Sequence, residues 1–218
     1  MRIFQNKKFI FITFLEILLC IALGIGIALY ANNNQRILHQ QDLALHYVNI
    51  SGKQRLLAQR IVFLGQMIAT NYVLKRDNQR LLLEFEACIK GLSSIHKTLQ
   101  NFVVSTIVGK QVNSTLDDVY FGGGNLMFSM ENFLENASKI FYLNALQDVL
   151  SINQSLLQQL EGDNGLLVRL ELATFSQQIY AQNFLKEQEK NTEQFFYFGV
   201  LLCGLQTLLL LWGFAQKR

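Results

Sequence analysis

Proline is missing from all 218 residues of this chain. Proline marks loops, sheet edges and helix ends, so its absence removes the usual stops and favours long uninterrupted helices. Charge is also scarce. With 16% charged and 50% hydrophobic residues, the chain is too apolar for an ordinary soluble domain and too polar for a multi-span transporter. There are three cysteines: Cys20 and Cys203 lie in apolar runs and Cys88 lies between them. A disulfide within the middle of the chain is therefore excluded, and no CxxC pair offers metal spacing. The three histidines, His39, His46 and His96, show no HExxH spacing, and Gly-x-Ser-x-Gly does not occur. These absences predict no metal, no cofactor and no enzymatic activity. The net charge of +3 comes from the ends of the chain. Arg2, Lys7, Lys8, Lys217 and Arg218 flank the apolar runs, leaving 14 basic against 15 acidic residues between them, so the sequence predicts no nucleic-acid surface.

Two long apolar runs are present. Residues 9–30 carry one charged residue, Glu16, and residues 195–214 have Gln206 and Thr207 as their polar members. Each reaches the ~20 residues that cross a bilayer core. Aromatic residues mark their edges: Phe9, Phe11 and Tyr30 on the first, and residues 195–198 with Trp212 on the second. The first run exceeds the ~7–15 apolar residues of a cleaved signal peptide. Basic residues at both chain ends place both termini in the cytoplasm. The expected layout is a cytoplasmic N-terminus (1–8), a first transmembrane helix (9–30), a periplasmic helical domain (31–194), a second transmembrane helix (195–214) and a cytoplasmic C-terminus (215–218). The expected location is the inner membrane of a bacterium, with membrane lipid as a partner. Glu16 and Gln206 each lie roughly 10–12 Å deep at ~1.5 Å per residue. An ionisable residue at that depth needs a partner, so the two are expected to pair.

Between the runs, apolar residues recur with gaps of four and three, the pattern of helices packed at shallow angles. One segment reads Leu43, Tyr47, Ile50, Leu57, Ile61, Leu64 and Ile68, with Gln54 in the missing slot. A second reads Leu81, Phe85, Cys88, Leu92, Ile95 and Leu99, and a third Met127, Met130, Leu134, Ala137 and Phe141. Leu146, Leu150, Leu157 and Leu160 follow, then Val168, Leu172, Phe175 and Ile179. The breaks are Lys75-Arg76-Asp77-Asn78, an irregular connection from Val104 to Gly124, and Gly162-Asp163-Asn164-Gly165. The triple glycine at 122–124 follows no strand and precedes no Lys-Ser/Thr, which makes it a loop and not a phosphate cradle. The fold class is therefore all-α, an antiparallel four-helix bundle between two transmembrane helices. The first helix is expected to run unbroken from its span to about Val73, and the last from Gly165 into the second span.

The most informative stretch is Asn49-Ile-Ser-Gly-Lys-Gln-Arg-Leu-Leu-Ala-Gln-Arg-Ile61. Gly52 lies mid-helix, where glycine costs roughly 1 kcal/mol against alanine. That cost suggests close approach of another helix or a ligand. Arg55 follows one turn later on the same side, and Gln54 at a seam position reads as a register or specificity device. A second copy approaching over Gly52 would bring two Arg55 side chains near the symmetry axis, and a bound anion would relieve their repulsion.

This stretch resembles the N-terminal sensor domain of the type IV pilus methyl-accepting chemotaxis transducer family, which is related to the periplasmic domain of nitrate/nitrite sensor kinases. The matching run extends from Ser51 to Arg60, with a weaker echo at Asn153-Gln-Ser-Leu-Leu157. The resemblance implies a dimeric four-helix sensor of a ligand or partner outside the cytoplasm. It implies an anion-binding role for Arg55 and an auxiliary or structural role for Arg60. The candidate ligand residues are thus Arg55, Gly52, Arg60 and Gln54, and the expected partners a small anion and a second copy of the chain. No signalling module follows the second span, so output is expected through a full-length receptor, a histidine kinase or another signalling protein of a chemotaxis or two-component system. The alternative reading is a two-span scaffold subunit of a membrane complex, with no small-molecule ligand.

Overall fold

The computed structural model describes residues 2–108, 114–143 and 145–215, with side chains for 13–39, 41–106, 115–143, 145–186 and 188–212. Among these residues the secondary structure is helical and contains no strand. The elements are α1 (Arg2–Val73), α2 (Gln79–Val108), α3 (Ser114–Phe121), α4 (Leu126–Lys139), a 3-10 turn (Ile140–Tyr142), α5 (Leu146–Glu161) and α6 (Leu166–Ala215). Packing divides the chain into two units: Met1–Leu43 with Gln182–Arg218, and Ala44–Ala181. Gly109 and the terminal Lys217 and Arg218 lie outside the described residues.

In the first unit, one stretch within Thr13–Val73 and one within Leu146–Trp212 are long and apolar enough to cross a membrane, with mean hydropathy 2.3 and 1.9. Neither apolar window is buried, which is unlike the central helix of a soluble core. Gln206 takes a partner other than the one the sequence suggests. Its Nε2 donates to Cys20 Sγ at 3.0 Å, one helical turn along from Glu16.

The second unit is built on a core shared by all its helices. Ile61, Ile68, Phe85, Leu92, Leu99, Tyr120, Met130, Phe133, Leu156 and Leu170 are fully buried. Each large apolar side chain withdrawn from water stabilises the fold by roughly 1.5–3 kcal/mol. Close helix approach is visible at Gly65, where a Cβ would meet Asn153 Oδ1 of α5 at 2.6 Å. An aromatic layer joins three helices. Tyr47 of α1 stacks on Phe102 of α2 with centroids 3.9 Å apart, and Tyr180 of α6 meets Phe102 edge-on at 5.6 Å.

Turn chemistry explains the breaks. After α1, Lys75 adopts φ 50, Asp77 Oδ1 accepts the Gln79 N–H at 3.2 Å and Asn78 Nδ2 donates to the Ile68 carbonyl at 3.3 Å. The Asp77 carboxylate thereby satisfies a free N–H at the start of α2, and the Asn78 amide ties the turn back to α1. The Val104–Gly124 stretch, read from sequence as an irregular connection, instead carries the end of α2 and the whole of α3. The triple glycine closes α3. Gly122 and Gly124 N–H groups donate to the Asp118 carbonyl, and the Gly123 N–H donates to Asp118 Oδ1, each at 3.0 Å. Those amides are therefore engaged within the chain.

The expected seams hold on α1 from Tyr47 to Ile68, and on α2. They hold in part on α4, where Met130 and Ala137 are buried, and on α5 at Leu160, and they fail at other positions. Leu43 and Leu150 are exposed, and Val149 and Leu156 take the inward positions on α5. On α6 the Val168, Leu172 and Phe175 stripe faces outward, and Leu166, Leu170, Ala173 and Gln177 face the core. The inward face of α6 is smaller and more polar than its outward face, which inverts the usual hydrophobic signal.

Candidate functional site

The candidate residues of the Gly52–Arg60 stretch point in three directions, because a helix turns about 100° per residue. Gln54 points into the core and is 0% exposed. Its Nε2 donates to Nδ1 of buried His96 at 3.3 Å, which leaves the imidazole proton on Nε2. Gln54 Oε1 and His96 Nε2 have no partner among the described residues. Burial pushes the His96 pKa down to about 4, because charging an imidazolium there would forfeit its hydration. Gln54 is thus a core polar residue and not part of a surface site.

Arg60 faces α2. Its Nε donates to Glu84 Oε1 at 3.0 Å, and its Nη2 contacts the same oxygen. The bond to Glu84 and its negative charge hold the guanidinium pKa above its usual value. Cys88 lies beside this pair, and burial pushes its thiol pKa up, an effect that the Arg60 charge partly offsets. Arg60 is therefore a helix-joining ion pair and does not line the groove that contains Arg55.

Gly52 and Arg55 do lie together. With Glu171, Leu172, Thr174, Phe175 and Gln178 of α6 they line a groove of about 450 Å³. The groove floor is fixed by a hydroxyl pair. Thr174 Oγ1 donates to the Leu170 carbonyl at 2.9 Å, so buried Ser51 donates to Thr174 Oγ1 across 3.0 Å. Arg55 Nη1 stands 3.8 Å from Glu171 Oε1, with both side chains at least half exposed. An exposed pair at that separation is worth about 1 kcal/mol or less, so Arg55 is free to exchange Glu171 for another acceptor at small cost. The carboxylate comes from α6, so the pair joins the two helices. At Gly52 an added Cβ would find nothing within 4 Å, so the cost of this glycine is not repaid by packing within the chain.

Three contributors escaped sequence reading. Glu171 and Phe175 are brought to the groove only by the pairing of α1 with α6, which no local pattern specifies. Arg169, near the start of α6, bonds the Gly124 carbonyl (2.6 Å), the Asn125 carbonyl (3.3 Å), Ser129 Oγ (2.7 Å) and the Asn164 carbonyl (2.9 Å). It clasps two turns together, and one arginine after a glycine turn gives no sequence signal of this. Among the described residues, no group of three or more His, Cys, Asp or Glu side chains could hold a metal ion.

No protein-family model, no curated protein and no solved structure matches this chain.

Proposed function

We propose that this chain is a membrane-anchored sensory domain of the bacterial inner membrane. In this reading its central unit is a periplasmic four-helix-type bundle, which receives a small anionic ligand or a partner at the Gly52–Arg55 groove. The observation that carries the reading is the groove itself. A half-exposed guanidinium, held only by a loose pair with Glu171, stands beside an open glycine, a hydroxyl and an amide. Arginine presents a planar fork of donors that suits a carboxylate or an oxyanion. The two helices that line the groove, α1 and α6, are also the two that contain the apolar windows. A ligand that alters their contact would bias two packings, and helix shifts of about 1–2 Å are the usual carrier of such signals. Output then passes to a full-length receptor or kinase.

Calorimetry on the full chain in nanodiscs, with a panel of small inorganic anions and carboxylates, tests this. Saturable binding that Arg55→Ala abolishes and Arg60→Ala spares supports the reading; binding untouched by Arg55→Ala refutes it. The scaffold reading gains support from the outward stripe of Leu172 and Phe175, since exposed apolar patches mark protein contacts. It is favoured if no anion binds and a partner co-purifies through that stripe.

A further inference from the structure

Residues 9–30 and 195–214 hold one charged side chain, Glu16. Among the described residues no hydrogen bond or ion pair reaches its carboxylate. The register of the two spans gives the reason. Leu23, Ile27 and Tyr30 of α1 share a groove with Phe195, Gly199 and Cys203 of α6, and Cys20 meets Gln206, so the spans run side by side in opposite directions. One turn beyond Gln206, level with Glu16, α6 carries Leu208 to Leu211, whose side chains have no polar atom. Gln206 is committed to Cys20, and the Thr207 hydroxyl donates to the Gly204 carbonyl at 2.8 Å. Lys8 is the nearest basic residue along α1, and it lies roughly 12 Å away along the helix.

At roughly 10–12 Å deep, a glutamate side chain is too short to return its carboxylate to water, and an ionisable group held in hydrocarbon needs a counter-charge. We infer that Glu16 is the recognition point for a transmembrane helix of another membrane protein, one that carries a lysine or arginine at the same depth. The cation meets the carboxylate, and both escape the cost of standing alone in the bilayer. Charge complementarity selects this occupant. A second copy of the chain would bring Glu16 against Glu16, and like charges repel strongly at low dielectric. A long cationic stem also reaches across a helix surface in a way that a short side chain does not. The surface beside Glu16 is bare: Phe14, Ile17 and Ile21 on α1 and Leu208 and Leu211 on α6 are 54–66% exposed. It offers a neighbouring span the close packing that holds helices together in lipid, where apolar burial drives nothing by itself. The inference rests on the membrane reading of the two spans and names the chemistry by which the output partner is recognised; it needs no ligand in the Arg55 groove.

Energy transfer between the labelled full chain and synthetic transmembrane helices in phosphatidylcholine vesicles tests it. The probes are two helices of about 20 leucine and alanine residues, one with a single lysine at the depth of Glu16 and one with leucine there. The lysine helix should associate with the wild-type chain at least tenfold more strongly than the leucine helix. Glu16→Leu should remove that preference. Adding Leu210→Glu to Glu16→Leu should restore it, because position 210 puts a carboxylate back at the same level on the other span; a preference lost through misfolding would not return that way. The inference is overturned if the two helices associate equally with the wild type, if the preference survives Glu16→Leu, or if Leu210→Glu restores nothing. It is also overturned if wild-type chains self-associate in a way that Glu16→Leu abolishes and the lysine helix leaves undisturbed, which would assign the carboxylate to a second copy. A chain that alkaline washing strips from the vesicles ends the membrane reading and this inference together, whereas a chain that stays embedded and ignores the lysine ends this inference alone.

Discussion

Lowering the pH should destabilise this protein through one buried ring. His96 is 3% exposed, and its pKa is pushed down from 6.5 to about 4 by loss of hydration. In the unfolded chain the imidazole takes up a proton as the pH falls through 6.5; in the folded chain it stays neutral until about pH 4. Between those values the unfolded state binds more protons, so stability falls as the pH falls across that window and levels off below it. The difference of about 2.5 units corresponds to about 3 kcal/mol, a large share of the ~5–15 kcal/mol that holds a domain folded. Denaturant unfolding of the full chain in nanodiscs, followed by circular dichroism from pH 7.5 to 4, measures the slope. Carboxylates also titrate at the acidic end, so the decisive quantity is the difference from His96→Gln, which keeps a hydrogen-bonding side chain beside Gln54 and removes the titration. The variant should lose about 3 kcal/mol less over the window. Equal slopes in the two proteins, or an NMR titration midpoint for His96 near 6.5, would refute the argument. With only three histidines in the chain, that NMR signal is readily assigned by substitution.

Gln54→Leu should cost about 1–3 kcal/mol in the same unfolding assay, because it strips His96 Nδ1 of its donor; a neutral result would mean that water replaces the amide. Phe133→Ala, at a fully buried position, should cost about 3–5 kcal/mol. Arg169→Ala should cost about 1.5–3 kcal/mol and raise hydrogen exchange first at the turns around residues 122–125 and 162–165, with core amides rising only by the loss of global stability. In a Cys20→Ser/Cys203→Ser background, Cys88 should react with a thiol reagent only as fast as the protein opens, since it is buried and burial holds its pKa up. Labelling at the rate of a free thiol would contradict that burial.

Much of the fold was legible from the sequence because its signals are local. The absence of proline and the length of the periodic segments gave the helices. Lys75 to Asn78 and Gly162 to Gly165 gave the turns, since Lys75 and Asn164 sit at φ 50 and 58, a region reached mostly at turns and caps. On α1 and α2 the apolar seam and the buried face coincide. On α6 they do not: Leu172 and Phe175 supply the stronger hydrophobic line, and Ala173, Ser176 and Gln177 supply the buried one. Periodicity finds a face that avoids water and cannot say what covers it. Of the candidate site, Gly52 and Arg55 were singled out by their residue types, and both line one groove. Glu171, 116 positions from Arg55, became a neighbour only through the pairing of α1 with α6. Gln54 and Arg60 lie off that groove, because the motif says nothing about which direction each side chain takes. The structure turns one toward His96 and the other toward Glu84.

The ring layer between α1, α2 and α6 has a mechanical consequence. Tyr47 and Phe102 lie nearly face to face at 3.9 Å, with their planes 22° apart. Aromatic pairs favour an offset, with centroids about 4.5–7 Å apart. A slide of α1 along α2 by about 2 Å would carry this pair to about 4.4 Å, toward its preferred arrangement, while pulling the helices apart would forfeit the contact. The layer therefore works as a plain bearing: it yields along the helix axes and resists separation.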